Sequence, residues 1–348
     1  MPTEAASAAA RRGAECRALR FALSVALALA AAYAIAFPLP YLAPLFAVFL
    51  SAMPGPPPRL QALLGLVLVM VVSLTVGVLL IPLLHHYPFA AVLVVAAGLY
   101  LSMYLTVIRG KRMLGLFLTV GFTLISVAGY LSQALATALI GSLVLAIVTA
   151  VLCQWLVYAL LPDPAAAAGP AEAAASEAQS NWLALRATLI VLPAYLLALS
   201  NPQQYLMTIM KSVSLGQEAS VLDARHAGRE LLGSTFAGGL LAVLLWSALS
   251  IHPSLWMYTL WMAAASLYVG CKLFRVLQTT VAPSFWINAI VTMLILLGPA
   301  VEDSASGRDA LSAFALRFAT FVGVTLYAWL AIAVLEAWRE RRLAPAPV

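Results

Sequence analysis

The sequence predicts an all-α polytopic membrane protein, two parallel six-helix repeats with about 12 transmembrane segments. Three observations carry this. The 348 residues are 64% hydrophobic and only 9% charged, against roughly 25% charged in a soluble domain. Apolar runs recur at the length of about 20 residues that a bilayer core demands of a helix. Short motifs in the first half return, in order, in the second. So few charges cannot cover a water-facing surface, which excludes a soluble enzyme, a soluble nucleic-acid binder and a disordered chain.

Ten long segments follow from the apolar runs: Ala18–Phe37, Leu60–Leu84, Pro88–Ile108, Met113–Gly129, Ser132–Leu161, Trp182–Leu199, Leu231–Ile251, Pro253–Cys271, Val281–Val301 and Leu311–Trp338. Two shorter ones, Tyr41–Met53 and Gln203–Leu215, bring the total to twelve, six on each side of a linker. The expected division is a first repeat over 1–161, a cytoplasmic linker over 162–181 and a second repeat over 182–348. The linker is rich in Ala, Pro, Glu and Ser, the composition of a tether. The basic stretch Arg11 to Arg20 before the first apolar run has the order of a signal peptide. Its recurrence in the second half argues against one.

The repeats rest on spacing. Ala18-Leu19-Arg20 and Ala184-Leu185-Arg186 open spans 166 residues apart. Leu63-Leu64-Gly65 answers Leu231-Leu232-Gly233 at 168, and Ala96-Ala97-Gly98-Leu99-Tyr100 answers Ala264-Ala265-Ser266-Leu267-Tyr268 at the same offset. Val151-Leu152-Cys153-Gln154-Trp155 answers Val334-Leu335-Glu336-Ala337-Trp338 at 183. Six crossings return the chain to its starting side, so the repeats are expected to be parallel.

Charge then orients the chain. With the N-terminus inside, nearly every Lys and Arg falls at a cytoplasmic loop or helix end, as the positive-inside rule requires. Both termini are expected to be cytoplasmic. The assignment also requires Tyr41–Met53 to cross, because otherwise Arg109, Lys111 and Arg112 move outside.

The candidate site residues lie near the expected inner ends. The two short segments are flanked or interrupted by Pro38, Pro40, Pro44 and Pro54 in the first half and preceded by Asn201-Pro202 in the second. Broken segments at matching positions of two halves commonly line a substrate path. Lys211 lies in the second of them, with Tyr205 and Met207 as an apolar wall. Arg225 and Arg229 are four apart and share a helix face; Asp223 and Glu230 are close enough in sequence to pair with them. With Arg20 and Arg186 they read either as solvated helix ends or as a basic mouth that concentrates anions.

The Ala-Leu-Arg helix opening, the short Pro-flanked second helix and the run Gly228-Arg229-Glu230-Leu231-Leu232-Gly233-Ser234-Thr235-Phe236-Ala237-Gly238-Gly239 resemble the fusaric acid resistance and aromatic acid exporter family. The first half keeps a blurred version at Arg59 and Gly65. The resemblance implies an inner-membrane efflux protein for aromatic carboxylates, located in the bacterial cytoplasmic membrane. It also implies a periplasmic adaptor (membrane fusion) protein as partner. Many members carry a sizeable cytoplasmic domain between the halves; here a short linker stands in its place.

The expectation is an efflux transporter of amphipathic organic anions, driven by the proton gradient or the membrane potential, and not an enzyme. Its partners are the lipid bilayer, the anionic substrate, the adaptor and further copies of the chain in a homo-oligomer; nucleic acid is not among them. A passive organic-anion channel and a non-transporting accessory subunit are the alternatives. No phosphate-binding Gly-x-x-x-x-Gly-Lys-Ser/Thr loop, His-Glu-x-x-His or Gly-x-Ser-x-Gly motif is present, and the sequence calls for no cofactor and no metal. Cys16, Cys153 and Cys271 lack the spacing of a disulfide framework or zinc site. In a cysteine-free background, Lys111→Cys is expected to be shielded from impermeant thiol reagents added outside intact cells, and Ser304→Cys to react. The reverse labelling pattern would overturn the orientation.

Overall fold

The computed structural model describes residues 4–53, 55–162, 177–219, 224–305 and 309–343. Among them every regular element is helical, and nine helices are long and apolar enough to cross a membrane. The protein is a multi-pass all-α membrane protein. The first half contains α1 (Glu4–Ala34), α2 (Leu42–Ala52), α3 (Leu60–Leu79), α4 (Ile81–His86), α5 (Pro88–Arg109), α6 (Arg112–Val120), a π-helical turn (Gly121–Ile125), α7 (Ser126–Leu131) and α8 (Gln133–Leu160). The second contains α9 (Glu177–Ser200), α10 (Pro202–Ala219), α11 (Ala224–Ile251), α12 (Leu255–Leu273), α13 (Pro283–Ala305) and α14 (Ala310–Leu343). Since α3 with α4, and α6 with the π turn and α7, form continuous apolar stretches, each of the twelve expected segments is helical, and all but α2, α10 and α12 are among the nine long and apolar enough to cross a membrane. Of the expected linker, residues 163–176 lie outside the described residues.

Two compact units result, and each draws on both halves of the sequence. Unit 1 comprises 1–68, 138–172 and 236–314; unit 2 comprises 69–137, 173–235 and 315–348. In unit 1, α1 packs against α2 and α12, while α13 packs against α12 and α2. In unit 2, α9 packs against α10 and α5, while α6 packs against α5 and α10. The scheme of contacts within one unit recurs within the other, with elements from opposite halves.

Within unit 1, α1 and α12 are antiparallel. A Cβ added at Gly270 would meet Ala18 and Phe21, Phe21 meets Phe274 edge-on, and farther along Tyr33 meets Tyr258 with ring centroids 5.4 Å apart. The eleven residues of α2 span only about 16 Å at 1.5 Å per residue, about half the hydrocarbon thickness. Leu42 through Val48 are nevertheless all buried. The helix is sheathed by protein, the condition under which a short, proline-bounded segment is tolerated in a membrane. Its N-terminal Tyr41 lies so close to Gly298 of α13 that a side chain there would overlap the ring.

Within unit 2, α10 extends through 18 residues, farther than the apolar run Gln203–Leu215. The π turn was not legible in the sequence. It lies where α3 approaches most closely: a Cβ at Gly77 would overlap the Gly121 carbonyl, and one at Gly121 would meet the Ser73 carbonyl. At the start of α14, the Ser312 amide donates to Asp309 Oδ1 at 3.3 Å. Hydrogen bonding from Ser312 holds the Asp309 carboxyl below the usual carboxylate range.

The Gly77–Gly121 contact generates a stability prediction. Gly77→Val should destabilise the protein in detergent by about 1–3 kcal/mol, the usual cost of overpacking. Gly141→Val, where nothing approaches a Cβ, should change little. Equal thermal shifts for the two variants would show that the close approach does not constrain the fold.

Candidate functional site

The anion-binding candidates fall into different surroundings. Arg20 belongs to unit 1; Arg186, Tyr205, Met207, Lys211, Arg225 and Arg229 belong to unit 2. Arg20 and Arg186 are not open helix ends. Arg20 is buried on α1, donates from Nη1 to the Leu161 carbonyl at 3.3 Å and lies over the Tyr158 ring at 4.7 Å. Arg186 is buried on α9 and forms a 2.9 Å ion pair with Glu336 of α14. The same carboxylate accepts from Trp182 Nε1 at 2.9 Å. Trp182 stacks near Trp338, and the Arg339 guanidinium lies over Trp182 at 5.5 Å. Each arginine therefore ties the helix that opens its half to the helix that closes it. Composition could not reveal this use: Glu336 lies at the match to Cys153, where the first half has no charge.

Lys211 is fully buried in the middle of α10. Its helix packs against α6, the π turn and α7, and these elements carry buried hydroxyls: Thr208 and Ser212 on α10, and Thr119, Thr123 and Ser126 on the others. Thr119, Thr123 and Ser212 donate to carbonyls one turn back in their own helices at 2.6–2.8 Å. Ser126 does the same toward Phe122. With their protons committed, these hydroxyls present acceptor oxygens, and an ammonium offers three donors and no acceptor. The interior of unit 2 thus has the chemistry to hold a cation; where such a group lies within a bilayer it is costly and commonly marks a substrate or ion path. A π turn beside such a group is a frequent companion of function. In unit 1, α2 makes contacts analogous to those of α10, yet carries no charged residue.

Arg229 is exposed at the inner end predicted for α11. It lines an open groove with Gly228, Leu232, Gly233 and Trp329. The groove exists because Gly228 lacks a side chain: a Cβ there would strike the Trp329 indole. A guanidinium beside an exposed indole edge and an apolar wall suits an amphipathic anion. Below it, Leu231, Leu215, Ile190, Ala328 and Ile332 form one apolar cluster joining α9, α10, α11 and α14. Leu215 is one helical turn from Lys211. Tyr205 and Met207 are half-buried on α10. The side chain of Arg225 and all of Asp223 lie outside the described residues.

The signals missed in the sequence were the π turn, the threonine–serine seam and Trp329. Thr119 and Thr123 at one-turn spacing were visible but look like ordinary small residues of a membrane helix. The tie between Arg186 and Glu336 predicts that Glu336→Leu destabilises the protein by about 3 kcal/mol, because it leaves a buried charge without its partner. Arg186→Met with Glu336→Leu should recover much of that loss in a detergent melting measurement. A double variant as unstable as the sum of the singles would show that the pair is not coupled.

Residues 17–157 match the model of a family described as a protein of unknown function, DUF2955. The matched stretch runs from the basic opening of α1 to the last turn of α8. No curated protein and no solved structure matches the chain.

Proposed function

We propose that the protein is an inner-membrane exporter of amphipathic organic anions, with aromatic carboxylates as the best-fitting class. The observation that carries this reading is Lys211, fully buried in the middle of α10 in unit 2. Desolvating an ammonium is expensive, and a carboxylate passing along α10 would offset that cost by pairing with it. Arg229 and Trp329 at the groove would first capture the charged and aromatic parts of the same molecule. The membrane potential, inside negative, favours outward movement of an anion by roughly 2.3 kcal/mol per charge per 100 mV. The proton gradient is the alternative drive.

Three further observations support the reading. The Gly228–Gly239 run resembles that of aromatic acid exporters. The recurrent packing scheme of the two units fits parallel repeats, and the family match covers nearly one such repeat. The basic ends also agree internally. In unit 1, α1 brings Arg17 to the end where α12 finishes with Lys272 and Arg275. In unit 2, α9 brings Arg186 to the end where α14 carries Arg339. An adaptor protein and a homo-oligomeric assembly belong to this proposal as partners.

Export from inverted vesicles or energised cells tests it. Lys211→Gln should lower transport of a benzoate-type carboxylate at least tenfold at normal protein level. Arg229→Gln should lower it severalfold, and the neutral amide of the same compound should be affected less, because the lost attraction is Coulombic and screened by salt. Arg341→Gln should do little. Equal loss for acid and amide, or no loss with Lys211→Gln, would contradict the proposal. Single-channel currents in planar bilayers would instead establish a passive anion channel.

A further inference from the structure

A second basic site lies in unit 1, away from the residues assigned above. The N-terminal turns of α1 carry exposed Arg11, Arg12 and Arg17. The antiparallel packing of α1 on α12 brings the last of these to the end of α12, where the Arg17 guanidinium lies 5.7 Å from the centroid of the Phe274 ring. Two more cations follow at once. Lys272 donates from Nζ to the Gln278 carbonyl at 2.9 Å and lies 5.9 Å from the centre of the Tyr268 ring. Arg275 is exposed. Tyr268 in turn meets Trp286 edge-on, and Trp286 donates to the Thr279 hydroxyl at 3.3 Å. The acidic neighbour Glu15 is engaged by Arg11 at 3.1 Å.

The backbone adds an independent observation. Helix α12 ends through hydrogen bonds from Phe274 to Gly270, from Arg275 to Lys272 and from Leu277 to Cys271. This termination places Arg275 at φ 58°, the left-handed position that glycine ordinarily fills at a helix end. A strained conformation retained by a residue with a long charged side chain points to a use for that side chain. Glycine would relieve the backbone and remove the charge.

We propose that this cluster is a binding site for the headgroup of an anionic phospholipid. Arg17, Lys272 and Arg275 would contact the phosphate, while Phe274, Tyr268 and Trp286 would lie at the headgroup level. Three features select a lipid. The cations stand at one end of α1, a helix long and apolar enough to cross a membrane, and of α12 packed along it, the level of a headgroup. Their rims are aromatic, as in the belts that residues of this type form at membrane interfaces. The positive charge complements an anionic surface, which juxtamembrane basic clusters recognise. The site is independent of the transport proposal and of which way the chain is inserted, since the clustered ends belong to unit 1 alone.

The test uses the full chain in neutral detergent. Native mass spectrometry counts bound phosphatidylglycerol against phosphatidylcholine of the same acyl chains. Wild type should favour the anionic lipid, and raising salt should release it. Arg17→Gln with Arg275→Asn, the latter chosen because asparagine tolerates the left-handed backbone, should weaken phosphatidylglycerol binding about tenfold. Arg109→Gln with Lys111→Gln removes two exposed cations from unit 2 and should leave binding unchanged. Should the first pair melt early in lipid-free detergent, Arg17→Gln alone supplies the comparison, with a partial loss expected and recovery in Arg17→Lys. No preference for the anionic lipid, salt-insensitive binding, or equal weakening by the two double variants would overturn the site.

Discussion

A bilayer interior provides no water to satisfy charges or backbone groups, and the rest of this structure depends on how the protein meets that constraint. Long apolar helices meet it by themselves. The short helix α2 and the charged helix α10 do not, and both are surrounded by protein. In unit 1, α1 and α13 cover α2; in unit 2, α9, α6, the π turn and α7 cover α10. The cover in each unit comes from both halves of the sequence. The segment that needs shielding is contributed by one half, and part of the shield by the other.

Much of this was legible in the sequence. Apolar run length located the helices because that quantity is fixed by bilayer thickness, and the prolines around Tyr41–Met53 marked a helix that cannot stand alone. The matches Ala18-Leu19-Arg20 with Ala184-Leu185-Arg186 identified equivalent helix openings. What the sequence concealed was partnership. Arg20 and Arg186 look like open basic ends, yet a carbonyl and Tyr158 occupy one, and Glu336 the other. The hydrogen bonds among these contacts join residues 141 and 150 positions apart, and no local pattern announces them. The π turn is hidden for a related reason: it lies where Gly77 of a distant helix approaches Gly121.

The candidate transport site shows the same division. Lys211 was conspicuous as a charge in an apolar stretch, but its depth was not. Lys211 is fully buried within α10, an interior lysine and not an open vestibule one. Unit 1 offers no equivalent charge on α2, so the two units, alike in packing, differ in chemistry. Arg229, by contrast, keeps the exposed position that sequence reading gave to the basic set.

The exchange of helices between halves is the central claim, and cross-linking across a severed chain tests it most directly. A protease site is inserted within 163–176 of the cysteine-free protein, and Tyr33→Cys is combined with Tyr258→Cys for unit 1, or Tyr100→Cys with Asn181→Cys for unit 2. The parent side chains meet in the structure, as rings 5.4 Å apart in the first pair and through a 3.2 Å hydrogen bond in the second. After treatment with a short bifunctional thiol reagent and cleavage, denaturing gels should show both pairs holding the two halves together at full-length size. Two separate half-length bands for both pairs, with proteins that remain folded and uncross-linked, would contradict the pairing of α1 with α12 and of α5 with α9.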